Sequence, residues 1–130
     1  MPTPRIGYIG ESLDLLIRQG ADFGPYNATM INPDQSLVDL TGCTIRGQIR
    51  KHALDTAIVI TFNTTVLNQI TYPGKYKFWL TNIQTAGLTT GETLASAESK
   101  FVWDLELLDS AGYVTPLYYG NVTIQREVTR

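Results

Sequence analysis

Two carboxylates stand two residues apart at Asp104 and Glu106, and in an extended chain that spacing puts both on one face, roughly 7 Å apart. A pair at that separation could in principle divide glycoside hydrolysis between an acid and a base. The plainer reading is a solvated sheet face, because Phe101, Trp103, Leu105 and Leu107 alternate with the two acids as an apolar stripe. Nucleophilic catalysis of the Ser-His-Asp or Cys-His kind needs an imidazole base. The sole histidine, His52, sits in the polar, turn-like stretch 51–56, where an exposed loop residue is the expectation. Cys43 is the sole thiol, which excludes an internal disulfide and a thiolate cage for zinc. The sequence also lacks a G-x-x-x-x-G-K-[ST] phosphate loop and a G-x-S-x-G elbow. We therefore expect no enzyme, no metal and no cofactor.

The residues suited to contact are of another kind. Arg46, Arg50 and Lys51 gather on or just beyond one face of a strand, which suits an acidic partner surface or plain solvation. Trp79, Leu117 and Tyr119 fall opposite the positions assigned to the core. Exposed, they would mark an interface; buried, they would show a slipped register. Trp79, Tyr119, Leu117, Arg46 and Arg50 are accordingly the candidate interface. Three N-x-T sequons, at Asn27, Asn63 and Asn121, are read as chance in a Thr-rich chain.

Strands must position these residues. Thr, Val and Ile make up 35 of the 130 residues, a bias towards pleated, half-buried surface. Alternation places Ile45, Gly47 and Ile49 inward in 44–50, Ile58, Ile60 and Phe62 inward in 57–62, and Tyr76, Phe78 and Leu80 inward in 75–80. The stripe at 101–107 is followed by Asp109-Ser110-Ala111-Gly112, turn chemistry that predicts a hairpin returning at 113–115. The returning strand runs through Val122 and Ile124, with Pro116 predicting an edge or bulge and Gly120 a bend or close backbone approach. Upstream, 13–19 and 23–31 read as two shorter strands. Residues 82–88 can form one helical turn, capped by Thr81 and stopped by Gly87 or Gly91. The stretch 85–100 reads as a long loop. About seven strands with almost no helix predict an all-β fold, an antiparallel β-sandwich, immunoglobulin-like or related.

A chain of 130 residues predicts one domain, here 13–130 behind an N-terminal arm at 1–12. Ten basic against twelve acidic residues is too even a balance for a general grip on nucleic acid. The first ten residues do not read as a secretory leader, and the longest apolar run falls far short of the roughly 20 residues that span a bilayer. The expectation is no membrane association and synthesis in the cytoplasm.

One further pattern runs through the chain. Gln19-Gly20-Ala21-Asp22-Phe23, the stretch 39–51 beginning Asp39-Leu40-Thr41-Gly42, Trp103-Asp104-Leu105-Glu106-Leu107, Gly120-Asn121-Val122-Thr123-Ile124 and Glu127-Val128-Thr129-Arg130 appear in that order. Together they resemble small virion structural proteins of tailed bacteriophages, in particular the N-terminal domain of phage upper baseplate proteins. The resemblance implies a β-sandwich without catalytic residues, a tail, baseplate or neck adaptor that packs against other virion proteins in a symmetric, multi-copy assembly. An alternative reading is a carbohydrate-binding module or small adhesin on the particle surface, since seven Tyr and two Trp could stack on pyranose rings. A small hydrolase built on Asp104 and Glu106 is the third.

Overall fold

The computed structural model describes residues 10–54, 56–88 and 98–126. Its elements, in chain order, are β1 (Glu11–Ser12), β2 (Leu15–Arg18), β3 (Phe23–Thr29), β4 (Thr44–Arg50), β5 (Ile60–Thr61), β6 (Asn63–Val66), β7 (Lys75–Leu80), α1 (Asn82–Ala86), β8 (Glu98–Leu108) and β9 (Val114–Gln125). They form two packed sheets, one of six strands in the order β1-β9-β8-β4-β5 with β2 also on β9, and one of three in the order β3-β7-β6. The fold is an all-β sandwich. Among the described residues no helix is long and apolar enough to cross a membrane.

Alternation builds the core. Ile49, Leu105, Leu107 and Ile124 of the larger sheet are fully buried, and Tyr76, Phe78 and Leu80 close over them from the smaller one. Phe62 marks the corner where the chain leaves β5 in one sheet and enters β6 in the other, and it is buried there. Its ring meets Trp103 edge-on at 5.7 Å, while Phe78 stacks on Trp103 at 5.9 Å, so aromatic contacts tie the sheets together. The helical turn forms as expected. Thr81 Oγ1 accepts from the Gln84 amide at 3.2 Å, Gln84 Oε1 accepts from the Thr81 amide at 2.9 Å, and Gly87 ends the turn. At the β8–β9 hairpin, Asp109 Oδ1 accepts from the amides of Ala111 and Tyr113 at 2.9 and 3.0 Å.

The pairing departs from expectation in several places, each for a physical reason. β1 and β2 run parallel to β9, so the larger sheet is mixed; the rest of the chain serves as the crossover, and no helix is required. Glu11 and Ser12, assigned to the arm, pair with Tyr118 and Tyr119. The strand expected at 57–62 shortens to β5, because β4 ends at Arg50 and Ile58 lies past its last partner, 45% exposed. The strand at 23–31 stops at Thr29. Of the expected loop at 85–100, residues 85–86 belong to α1, 98–100 to β8, and 89–97 lie outside the described residues.

The strand expected at 13–19 breaks into β1 and β2 opposite Gly120. Leu13 donates its amide to Tyr119 O at 2.8 Å, and its own carbonyl turns inward to accept from Trp103 Nε1 at 2.7 Å. Asp14 Oδ1 then substitutes for a backbone acceptor, taking the Asn121 amide at 3.0 Å. A Cβ on Gly120 would overlap the Leu13 carbonyl oxygen and sit 2.8 Å from its carbon. The close approach predicted from Gly120 is therefore present, and glycine is what permits it.

Candidate functional site

Residues that share a register position on β4, β8 and β9 lie in one row across the sheet. Gln48, Asp104 and Tyr119 form one row of the outer face, flanked by Arg50, Val102 and Asn121 on one side and by Arg46, Glu106 and Pro116 on the other. Alternation thus brings three of the five candidate contact residues, Arg46, Arg50 and Tyr119, onto one surface. Tyr119 is 45% exposed.

Leu117 does not join them. Leu105 pairs with Tyr118 and Glu106 with Pro116, so Leu117 is the extra residue of a bulge at the place where Pro116 predicted one. The bulge turns Leu117 into the core, where it is 3% exposed, and restores the alternation beyond it. Tyr118, next in sequence, also turns inward and stacks on Trp103 at 6.2 Å. Trp79 is half-buried and lies on the outer face of the other sheet.

The charges on the larger outer face are unevenly partnered. Arg46 Nε donates to Glu106 Oε1 at 2.7 Å, the one ion pair among the described residues. Half-exposed, it contributes at most about 1 kcal/mol. Arg50 Nη2 donates to Gln48 Oε1 at 2.7 Å, and its Nε is buried with no partner among the described residues. Asp104 accepts no hydrogen bond from any described residue. Burial lifts its carboxyl above the ordinary 3.8, the neighbouring Glu106 adds to the rise, and Arg50 and Arg46 oppose it. Glu106 is engaged by Arg46 and Asp104 by no described residue, and neither imidazole nor thiol stands in the rows around them.

Between these rows lies a depression of about 350 Å³, lined by Gln48, Arg50, Ala53, Asp104, Tyr119 and Asn121 around Val102, Gly120 and the edge of Trp103. Sequence reasoning reached Tyr119 and Arg50 by alternation but did not join Gln48, Asp104 and Asn121 to them. The missing signal is cross-strand register, which no single segment carries. His52 and Cys43 flank opposite ends of β4, whose extended chain alone spans about 20 Å, and form no dyad. The sequon residues Asn27, Asn63 and Asn121 all lie within strands.

The smaller sheet presents a contrasting outer face. Lys75, Lys77 and Trp79 point outward from β7, with Asn27 and Thr29 of β3 on one side and Asn63 and Thr65 of β6 on the other. These rows carry two lysines and no acid. Lys75 Nζ reaches only Thr29 Oγ1, at 3.5 Å. A third feature, an apolar groove of about 450 Å³, opens between β2 and β3, each an edge of its sheet, and is lined by Leu13, Leu16, Tyr26, Phe78 and Tyr118 among others. The sequence matches no protein-family model and no curated protein.

Proposed function

We propose that the protein is a non-enzymatic structural component of a bacteriophage virion, a tail, baseplate or neck adaptor that acts through protein–protein contacts in a multi-copy assembly. The observation that carries the docking part of this reading is the outer face of the three-stranded sheet. Trp79 stands there beside Lys75 and Lys77 with no neighbouring carboxylate in the adjacent rows. Tryptophan is among the residues that most often dominate interface energy, and an acid-free lysine pair complements an acidic neighbour. The strands on both sides of β7 are sheet edges, whose free backbone groups offer further pairing. The virion assignment is supported by the sequence resemblance described above, whose segments fall in the β2–β3 turn, β4, β8 and β9.

Mass spectrometry of purified particles of the phage that encodes the chain tests the proposal. The chain should be present in many copies per particle. Particles carrying Trp79→Ala should retain roughly 30-fold less of it, the equivalent of a hot-spot loss of about 2 kcal/mol. Absence of the chain from purified particles would overturn the virion reading, and unchanged incorporation of Trp79→Ala would remove this face from it.

A further inference from the structure

We infer that the depression on the outer face of β4, β8 and β9 is a binding subsite for a neutral hexopyranose, the sugar ring of a glycan. Its volume of about 350 Å³ falls at the low end of small-molecule sites, which run from roughly 300 to 1,000 Å³. The charge pattern selects the ligand class. Arg46 and Arg50 of β4 face Asp104 and Glu106 of the adjacent β8, so the formal charges within these rows cancel. An anionic ligand meets the Asp104 carboxylate, and a cationic one meets Arg50. A hydroxyl both donates and accepts, so a neutral polyol satisfies both signs at once.

The partners still available match such a ligand. Neither oxygen of Asp104 accepts a hydrogen bond from a described residue, and two adjacent sugar hydroxyls can donate to them as charge-assisted bonds. Donation to a partly desolvated carboxylate also offsets the cost of holding its charge there. The bond from Nη2 to Gln48 holds the Arg50 guanidinium in place at the rim of the depression. The Asn121 backbone amide is committed to Asp14, and its exposed carboxamide is not. Tyr119 supplies an exposed aromatic ring of the kind on which the C–H face of a pyranose packs. All five residues stand on paired strands rather than loops, so the site is preorganised by the sheet. The inference needs only that this face meet solvent, and it is independent of the virion reading, which uses the opposite sheet.

The test is an NMR titration of the full, ¹⁵N-labelled chain with the methyl glycosides of glucose, galactose and mannose, each added separately. At least one should give saturable shifts with a Kd on the order of 1 mM, confined to amides of 48–50, 102–104 and 119–121. Tyr119→Ala and Asp104→Asn should each weaken that binding by about tenfold or more, while Trp79→Ala, on the opposite sheet, leaves it within about threefold. Methyl glucuronide and glucosamine, an anion and a cation on similar rings, should bind more weakly than the neutral glycoside. The dispersion of the same spectra reports that each variant is folded. Absence of saturation with all three neutral glycosides up to about 50 mM overturns the inference. So do shifts centred elsewhere, or binding that survives both Tyr119→Ala and Asp104→Asn. A chain found in purified particles that fails this titration loses the sugar site alone.

Discussion

The two faces of β4, β8 and β9 are made from alternate residues of the same strands, yet they are held together in different ways. On the inner face, Trp103 is buried between aromatic rings and its indole N–H is spent on the Leu13 carbonyl, which reaches it because Gly120 has no side chain. One residue along on each strand, the outer face holds Asp104, with no hydrogen-bond partner among the described residues, and Tyr119, open to solvent. Interior positions tolerate little because close packing leaves little spare volume and a buried polar group needs its partner. Outer positions keep bonding capacity in reserve, and that reserve is what a ligand or neighbouring subunit can use. Committed and uncommitted bonding groups are therefore separated by a single step in sequence.

The sharpest way to break this contrast is at Gly120. Substitution by alanine places a methyl against the Leu13 carbonyl, a backbone group that can yield only if β1 and β2 shift on β9. Gly120→Ala should cost about 3 kcal/mol or more, read as a fall in the urea midpoint at unchanged slope. Gly47 is the instructive counterpart, since a Cβ there would meet the Leu105 Cδ1 at 2.6 Å and Phe62 Cδ2 at 3.1 Å. Its nearest obstacles are ends of side chains, which can move more readily than a backbone carbonyl. A Gly120→Ala chain within 1 kcal/mol of the parent would show that the Leu13 crossing is not fixed.

The same crossing marks the limit of what the sequence made legible. Period-2 alternation identified the inward faces of β4, β7 and β8, because that signal is contained within each strand. The capped turn at Thr81 and the bulge at Pro116 were also readable, since capping and proline chemistry are local. The break between β1 and β2 was not. It depends on bonds from Trp103 to Leu13 and from Asn121 to Asp14, which join residues 90 and 107 positions apart. The parallel pairing with β9 escaped for the same reason. Leu117 was misassigned because alternation was carried back from Val122 through a bulge of known neighbourhood but unknown phase. The site was half legible: Tyr119 and Arg50 follow from alternation, whereas their meeting with Asp104 and Asn121 follows only from register.

A gentler change separates the volume of the inner face from its hydrogen bonding. Trp103→Phe retains an aromatic ring beside Phe78 and Tyr118 but removes the donor that satisfies Leu13. Leaving that carbonyl without its partner should cost about 1–3 kcal/mol. The amide of Leu13 itself, which donates to Tyr119, should lose hydrogen-exchange protection before the amides of β4 do. Equal loss across the sheet would mean that the Leu13 crossing is not a separate element of the stability.

On the outer face the expected effect is smaller and opposite in sign. Burial and Glu106 hold the Asp104 carboxyl above its ordinary 3.8, so between 3.8 and the raised value the folded chain binds more protons than the unfolded one. Stability therefore falls as pH rises through that window and stays lower above it. Asp104→Asn removes the charge without changing the shape, and the variant should be more stable than the parent near neutral pH. Solvent screening at this open position keeps the gain under about 1 kcal/mol. Paired urea titrations across the acid range should show the two chains converging as pH falls towards 3.8 and separating above it. A variant that is less stable at neutral pH would mean that Arg50 and Arg46 outweigh burial, and that the carboxylate is already satisfied within the sheet. In that case the contrast between a committed interior and an exterior with bonding in reserve would fail at the residue on which it most depends.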